Sequence, residues 1–187
     1  MTFTPPRLTP LSSDRLVLEP LRPTQADALY RYRSNPRIAE FQSWWPQSVD
    51  EVSAFIAALP PIGHESVDGW TQLGVVLRDT GELVGDVGVC GADRMSRQAQ
   101  FGITIAPEFH RRGFAAEAVR TLFAFLFASQ RKHRVSCSVD PRNTASMALM
   151  QSLGMRREAH HIESYLFRDE WVDDVVFALL RRESGLW

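Results

Sequence analysis

The sequence predicts a single domain of the α/β (α+β) class, and three observations carry that expectation. Apolar runs with two-residue alternation take turns along the chain with runs of three- and four-residue spacing. Twice, around residues 101–127 and 135–154, a strand-like run passes through a polar turn straight into a helix-like one. The chain has 187 residues, enough for one sizeable core and short for two. Residues 1–187 are therefore expected to form one domain, with 1–10 as a flexible extension.

Taken in order, Arg15 to Leu21 reads as a first strand, with Leu16 and Leu18 set against Val17 and Glu19. Pro23-Thr24 opens a helix carrying Ala26, Leu29, Tyr30 and Tyr32, which Asn35-Pro36 interrupts. A short helical piece through Phe41 and the pair Trp44-Trp45 precede a helix from Ser48, whose side chain caps and whose Glu51 completes a capping box. Pro60-Pro61 ends it. Trp70 to Leu77 and Leu83 to Val89 read as strands paired around Asp79-Thr80-Gly81. Arg97 to Ile105 is a further strand, in which Phe101, Ile103 and Ile105 alternate with Gly102 and Thr104 until Pro107 stops it. Ala115, Ala118, Val119, Leu122, Phe123, Leu126 and Phe127 then mark one helix face. Val135, Cys137 and Val139 form a short strand that Asp140-Pro141 breaks, and Asn143 to Leu153 is a helix closed by Gly154. Met155 to Ile162 and Val172 to Leu180 are two last strands, connected through Arg168-Asp169-Glu170.

Composition narrows the function. Hydrophobic residues at 44% and charged residues at 23% are ordinary globular values, which argues against disorder. A net charge of −1 gives no long-range attraction to nucleic acid or an anionic membrane. Arg111, Arg112 and Arg131 to Arg134 are the one patch on which a nucleic-acid reading would rest. The longest apolar stretch, Leu122 to Ala128, is far below the ~20 residues needed to cross a bilayer, and Met1 to Pro10 lacks a secretory pattern. Cys90 and Cys137 lie in apolar strands without metal-ligand spacing and read as reduced core residues of a cytoplasmic protein. No base near Cys137 marks it as a nucleophile. His160 and His161 are adjacent, so a strand points them to opposite faces, and His64, His110 and His133 sit in unrelated contexts; no metal is expected.

The run His110-Arg111-Arg112-Gly113-Phe114-Ala115-Ala116 carries the most chemistry. It lies where a strand hands over to a helix, and the first turn of a helix leaves backbone N–H groups without partners beside a partial positive charge. Gly113 lets a phosphate approach the backbone; Arg111 and Arg112 either supply forked cationic donors or are solvated surface. There is no Gly-Lys-Ser/Thr ending for a Walker loop and only one glycine, against the three of a dinucleotide fingerprint. The run resembles the acyl-CoA pyrophosphate loop of the GNAT acetyltransferase superfamily, Gln/Arg-x-x-Gly-x-Gly/Ala, with His110 in its first place. Asn143-Thr144-Ala145-Ser146 through Leu153-Gly154-Met155 resembles the superfamily's Asn-x-x-Ser-x-x-Leu-x-x-x-Leu-Gly-Phe signature, with Met155 for phenylalanine. Trp171 and Asp173 fit the Gly-x-Trp-x-Asp turn of the RimJ/RimL-type branch, with Arg168 or Asp169 at the glycine.

The resemblance implies a mixed central sheet of about seven strands, splayed in the middle and flanked by helices, with acetyl-CoA as cosubstrate and an amine acceptor. It implies that Arg111, Arg112, Gly113, Phe114, Ala115 and Ala116 hold the pyrophosphate and that Asn143 contacts the pantetheine arm. Ser146 is the candidate general acid, with Tyr165 as its alternative, and the backbone N–H groups of Ile105 and Ala106 are candidates for the oxyanion and the pantetheine amides. Glu163 is the first candidate for general base and Asp86 the runner-up, each with a surface reading beside it. Trp44 and Trp45, with Phe41, are candidates for an acceptor-side wall; Asp50, Glu51, Glu65 and Asp68 are acidic residues able to converge there. The basic cluster Arg131-Lys132-His133-Arg134 is a solvated loop or approaches the cofactor's ribose phosphate. The branch implies a protein N-terminal amine as acceptor, with small-molecule amines such as antibiotics or polyamines as the alternative, and dimers pairing through edge strands after Met155. A regulatory domain that binds acyl-CoA without turnover is the reading from another class.

Overall fold

The computed structural model describes residues 10–60, 69–91 and 97–185. Thr9 and the residues before it, Pro61, His64, Glu65 and Asp68 lie outside the described residues. In chain order the elements are β1 (Leu11–Ser12), β2 (Leu16–Pro20), α1 (Ala26–Arg33), α2 (Pro36–Ala39), α3 (Val49–Ala58), β3 (Thr71–Leu77), β4 (Leu83–Gly91), β5 (Gln98–Ile105), α4 (Phe114–Ala124), β6 (Arg134–Val139), α5 (Thr144–Ser152), β7 (Arg156–Phe167) and β8 (Glu170–Leu180). The eight strands form one sheet in the order β1-β2-β3-β4-β5-β6-β8-β7; the strand beyond the expected seven is the two-residue β1.

Local chemistry explains most boundaries. Pro23–Gln25 forms a tighter 3-10 turn ahead of α1, where proline's fixed φ suits a helix entry. The Asn35 side chain accepts the Arg37 N–H, which starts α2 afresh after the break. Ser48 caps α3 through the Glu51 N–H at 3.1 Å. The Glu51 carboxylate reaches the Gln47 N–H and Trp44 Nε1 rather than closing a box on Ser48. Those two bonds, the backbone one first, hold the Glu51 carboxyl below its usual range. The α4 helix runs on through a π turn over Phe125–Ser129, so Leu126 and Phe127 stay on the buried face. Gly154, at φ +74°, closes α5 with two hydrogen bonds: its own N–H donates to Gln151 O and the Met155 N–H to Met150 O. Among the described residues no helix is long and apolar enough to cross a membrane.

Register fixes the two faces of the sheet. Phe101 packs edge-on against Phe123 of α4, with ring centroids 5.2 Å apart, so the odd-numbered residues of β5 face α4. Asp86 of β4 bonds to Tyr32 and Arg33 of α1, and it pairs with Thr104, so the even-numbered residues of β5 face α1. The parity carries across Ala99↔Val135 and Cys137↔Phe177 into β6 and β8. Cys137, Val139 and Asp173 therefore face α4, while Ser138 and Asp174 face α1.

All neighbouring strands are antiparallel except β5 and β6, which run parallel and pair only over Gln98–Gln100 and Arg134–Ser136. Beyond those residues the two strands part. The sheet is split in its middle, between two strands that are each still paired on their outer side.

Candidate active site at the split sheet

A cleft of about 340 Å³ occupies the split. Phe101, Gly102 and Ile103 of β5 line one side; Cys137, Ser138 and Val139 of β6 line the other. The Ala106 N–H donates to Val84 O at 2.9 Å, which sets the phase of the ladder. Val84–Ala106 and Asp86–Thr104 exchange hydrogen bonds, and the polar backbone groups of Ile103 and Ile105 turn the other way, into the split. The Ile105 carbonyl is taken by His110 Nε2 at 2.7 Å, so that imidazole closes the turn onto the strand. The Ile105 N–H and both groups of Ile103 have no protein partner among the described residues. A strand edge of this kind takes its hydrogen-bonding partners from water or from a ligand in the cleft. The expectation for Ala106 is corrected: its N–H is spent on Val84 and its carbonyl on Phe109.

At the end of β5 the chain passes through a 3-10 turn, Pro107–Phe109, into the loop before α4. Arg111 (φ 59°) and Gly113 (φ 80°) are both in the left-handed region. Glycine is needed at 113 for this backbone turn. A Cβ there would meet only Arg15 Nη2, at 3.4 Å. No side chain caps α4 at Gly113, and the first intrahelical bond is Glu117 N–H to Gly113 O, so the N–H groups of Phe114, Ala115 and Ala116 stay open. The Arg112 guanidinium lies over the rings of Phe109 and Phe114, at 5.4 and 4.8 Å.

Arg15 and Glu117, not singled out from the sequence, hold this loop. Arg15 bonds Glu117 through Nε and Nη2 and reaches the Arg112 carbonyl through Nη1 at 3.0 Å. Burial alone would raise the Glu117 carboxyl; the Ser13 hydroxyl, the Arg15 N–H and the Arg15 guanidinium together pull it below its usual range. The pair also neutralises the carboxylate in the first turn of α4, beside the open N–H groups. Its only trace in the sequence is an arginine opening the first strand and a glutamate in the first turn of α4.

Asn143 and Ser146 enter the cleft from α5. Asn143 Oδ1 accepts the Ser146 N–H at 3.0 Å, so the capping role and a place at the cleft coexist in one side chain. α5 stands beside α4, where Arg120 reaches Ser152 O, on the α4 side of the sheet.

The α1 side is lined by Glu40, Phe41, Gln42 and Ser43 after α2, by Trp70 and Gln100, and by Tyr165 and Phe167 of β7. Behind it lies a buried network. Asp86, 1% exposed, accepts from Tyr32 Oη at 2.6 Å, from Arg33 Nε at 3.1 Å, and from Arg33 Nη2 and Gln72 Nε2. Arg33 Nη1 donates on to Gln42 at 2.8 Å. Burial, then the charge of Asp86, raises the Tyr32 hydroxyl well above its ordinary value. Asp86 is thus saturated by donors and does not line the cleft, which removes it as a base; the solvent-facing reading fails as well.

The other sequence candidates fall as follows. Glu163 is exposed at a bulge in β7 with φ 44°, donates its N–H to Asp173 Oδ1 at 3.0 Å, and does not line the cleft. Neither tryptophan lines it. Trp44 stacks on Phe55 at 4.3 Å and donates to Glu51, while Trp45 donates to Ser34 O. Trp45 has another use: Arg168, at the tip of the β7–β8 hairpin, lies 4.8 Å over its ring and donates to Ala39 O at 2.8 Å. The hairpin is thereby tied to the α2 segment across the mouth of the cleft. Asp50 and Glu51 belong to α3 and do not line the cleft. Cys137 is buried; burial first, and the charge of Asp174 second, push its thiol up to about 12, so it stays protonated.

The basic cluster does not approach the loop. Lys132 is 1% exposed, Arg134 pairs with Glu158 at 2.8 Å, and β6 begins opposite Gln98. That is the far end of β5, about 23 Å from Ile105 at ~3.3 Å per residue. Arg111 and Arg112 therefore share no patch with Arg131 to Arg134. His160 lies against Asp173, 2.7 Å away, and His161 faces the other side of the sheet; among the described residues no three His, Cys, Asp or Glu side chains gather as a metal site.

Comparison with known proteins agrees with this geometry. The chain is 28% identical to an uncharacterized N-acetyltransferase, p20, of Bacillus licheniformis over 174 residues, 92% of this chain and 97% of that protein. It is 26% identical over 175 residues to the [ribosomal protein uS5]-alanine N-acetyltransferase of Escherichia coli, 90% of this chain and 89% of that one. The crystal structure of a GNAT-family acetyltransferase from Bacillus anthracis shares the fold, with a TM-score of 0.84 at 21% identity over 94% of this chain and all of that one. Residues 15–156, from the arginine that anchors the loop to the first residue of β7, match the acetyltransferase (GNAT) domain, and the chain belongs to that family of N-acetyltransferases.

Proposed function

We propose that this enzyme takes its acetyl group from acetyl-CoA and passes it to a primary amine by direct attack in a ternary complex, the amine being the N-terminus of a protein. The observation that carries the reading is the split between β5 and β6, which exposes unpaired backbone at Ile103 and Ile105 and is lined from both faces of the sheet. Pantetheine carries two amides that suit such an edge, and the open N–H groups of Phe114, Ala115 and Ala116 suit the pyrophosphate. Arg111 and Arg112 add charge there. Asn143, with its NH2 group not used in capping, meets the pantetheine arm, and Ser146 protonates the departing sulfur, with Tyr165 as its alternative. The protonated state of Cys137 favours direct transfer over an acyl-cysteine.

The similarity to a ribosomal-protein N-acetyltransferase supports a protein N-terminus as acceptor. A small amine is the second reading. One observation favours it: among the described residues four carboxylates line the cleft and no Lys or Arg does, and Phe41, Trp70, Tyr165 and Phe167 supply aromatic faces, a lining that suits a compact ammonium group. A homodimer through β7 belongs to the same proposal. That strand is the outer edge of the sheet, is exposed over most of its length, and with β8 displays Ile162, Tyr165, Leu166 and Trp171; sedimentation of the purified protein tests it.

Calorimetric titration with acetyl-CoA, followed by a thiol-release screen over N-terminal peptides, polyamines and aminoglycosides, tests the function. Binding with thiol release on one amine class is the expected result and names the acceptor. Binding without release points to a regulatory acyl-CoA-binding domain, and no binding overturns the reading.

A further inference from the structure

We infer that Asp174 is the base that removes the proton from the incoming ammonium group, an assignment that rests on the transferase reading above. Four carboxylates border the cleft, and their partners separate them. Asp140 is gripped by Arg142 through Nε and Nη2. Asp173 accepts the Glu163 N–H and lies against His160. Protonating either would break those bonds, and both carboxyls sit below their usual range: Asp140 against the effect of its burial, through Arg142, and Asp173 through the Glu163 N–H first and His160 second. Glu40 is exposed beyond the end of α2, at the rim. Among the described residues Asp174 has a single hydrogen-bond partner, the Ser138 hydroxyl.

Position favours the same residue. The β5–β6 register, Gln100↔Ser136, places Ser138 opposite Gly102, two residues past the last pair of the two strands. By parity Gly102, Ser138 and Asp174 all face α1, whereas Asn143 and Ser146 enter from the α4 side. A Cβ at Gly102 would meet nothing within 4 Å, so there is open room beside the Ser138–Asp174 pair for a nitrogen to approach the split. His161, paired with Asp174 across β8 and β7, and Cys137, Tyr165, Asp140, Asp173 and Glu40 are the other titratable groups around it among the described residues.

The step balances. Asp174 takes one proton from R–NH3+, and the freed lone pair attacks the thioester carbonyl carbon through the split. The C–N bond forms, the C–S bond breaks with its electron pair going to sulfur, and the second proton lost by nitrogen ends on the thiolate. The proton on Asp174 leaves to solvent.

Asp174→Asn keeps an acceptor for Ser138 and changes only the basicity. With an alkylamine acceptor, kcat should fall by about 100-fold or more, the usual worth of a positioned base. With an amine already neutral at the assay pH, such as trifluoroethylamine, the loss should be less than about threefold, since no proton has to be removed before attack. The calorimetric Kd for acetyl-CoA and the melting temperature should be unchanged. Equal losses with both amines, or undiminished turnover of the alkylamine, would overturn the assignment. Wild-type protein that releases no thiol with any amine would overturn the transferase reading and the assignment together; normal wild-type turnover keeps the two failures apart.

Discussion

The β5–α4 junction and the β7–β8 hairpin border the same cleft, and they are held in place by opposite means. At the junction Gly113 takes the left-handed turn into the helix, with Arg111 also left-handed before it, the first backbone N–H groups of α4 stay open, and one nearby ion pair, Arg15–Glu117, fastens the whole. At the hairpin the two-residue turn is made by Arg168 (φ 50°) and Asp169 (φ 67°), where asparagine and glycine would turn without strain. In exchange, Arg168 spans the mouth of the cleft to Ala39 and Trp45. On the proposed function, the junction uses local backbone geometry to meet the cosubstrate, and the hairpin spends local strain on a long-range tie in the wall that would face the acceptor.

The largest effect should come from the network behind the α1 side of the cleft. Asp86→Asn leaves the buried Arg33 guanidinium without its counter-charge and should cost about 3–5 kcal/mol in denaturant unfolding. Replacing both partners by apolar residues should cost much less; equal losses would mean that the wall does not depend on the pair. Next, Gly113→Ala should lower stability by about 1–2 kcal/mol, the cost of a left-handed alanine. Gly113→Asn should lose less, since asparagine tolerates that conformation. A neutral alanine would erase the contrast drawn between the two turns.

Glu117→Gln should cost about 1 kcal/mol at neutral pH, because Arg15 is half exposed. The sign of its pH dependence follows from a carboxyl held low in the folded state. Its contribution is present above the unfolded-state value and is lost as pH falls through the folded one, so the acid limb of wild-type stability should be steeper than that of the variant. The smallest change in stability, within about 1 kcal/mol, should follow Arg168→Asn with Asp169→Gly, which relaxes the turn while cutting the tie. The KM for the amine should nevertheless rise several-fold with the Kd for acetyl-CoA unaltered. A KM that stays put would show that the hairpin needs no tie.

The same contrast explains what could be read in advance. The strand-turn-helix passages at Gly113 and at Asn143–Gly154 were legible because their signals are local: alternation, a cap, a left-handed glycine. The splitting of the sheet came only from family resemblance, since nothing in Gln98–Ile105 or Arg134–Val139 says where two paired strands separate. The α1 side of the cleft was largely illegible. Trp44 and Trp45 look like a wall by residue type, yet Trp44 is engaged by Phe55 and Glu51, and the aromatic lining comes from Phe41, Trp70, Tyr165 and Phe167, scattered over the chain. Asp86 looked solvent-facing because its partners, Tyr32 and Arg33, lie over fifty residues away. Asp174 carried no local signal at all, because its meaning depends on which face of β8 meets the split.

Beyond Gln100, strand β5 is paired along one edge and has free backbone along the other. In ligand-free solution its amide hydrogens should therefore exchange in alternation: Gly102 and Thr104, bonded to β4, should be protected, and Ile103 and Ile105 should be labile. Every second rung of this strand is already cut, and hydrogen exchange should watch a bound cosubstrate mend it one residue in two.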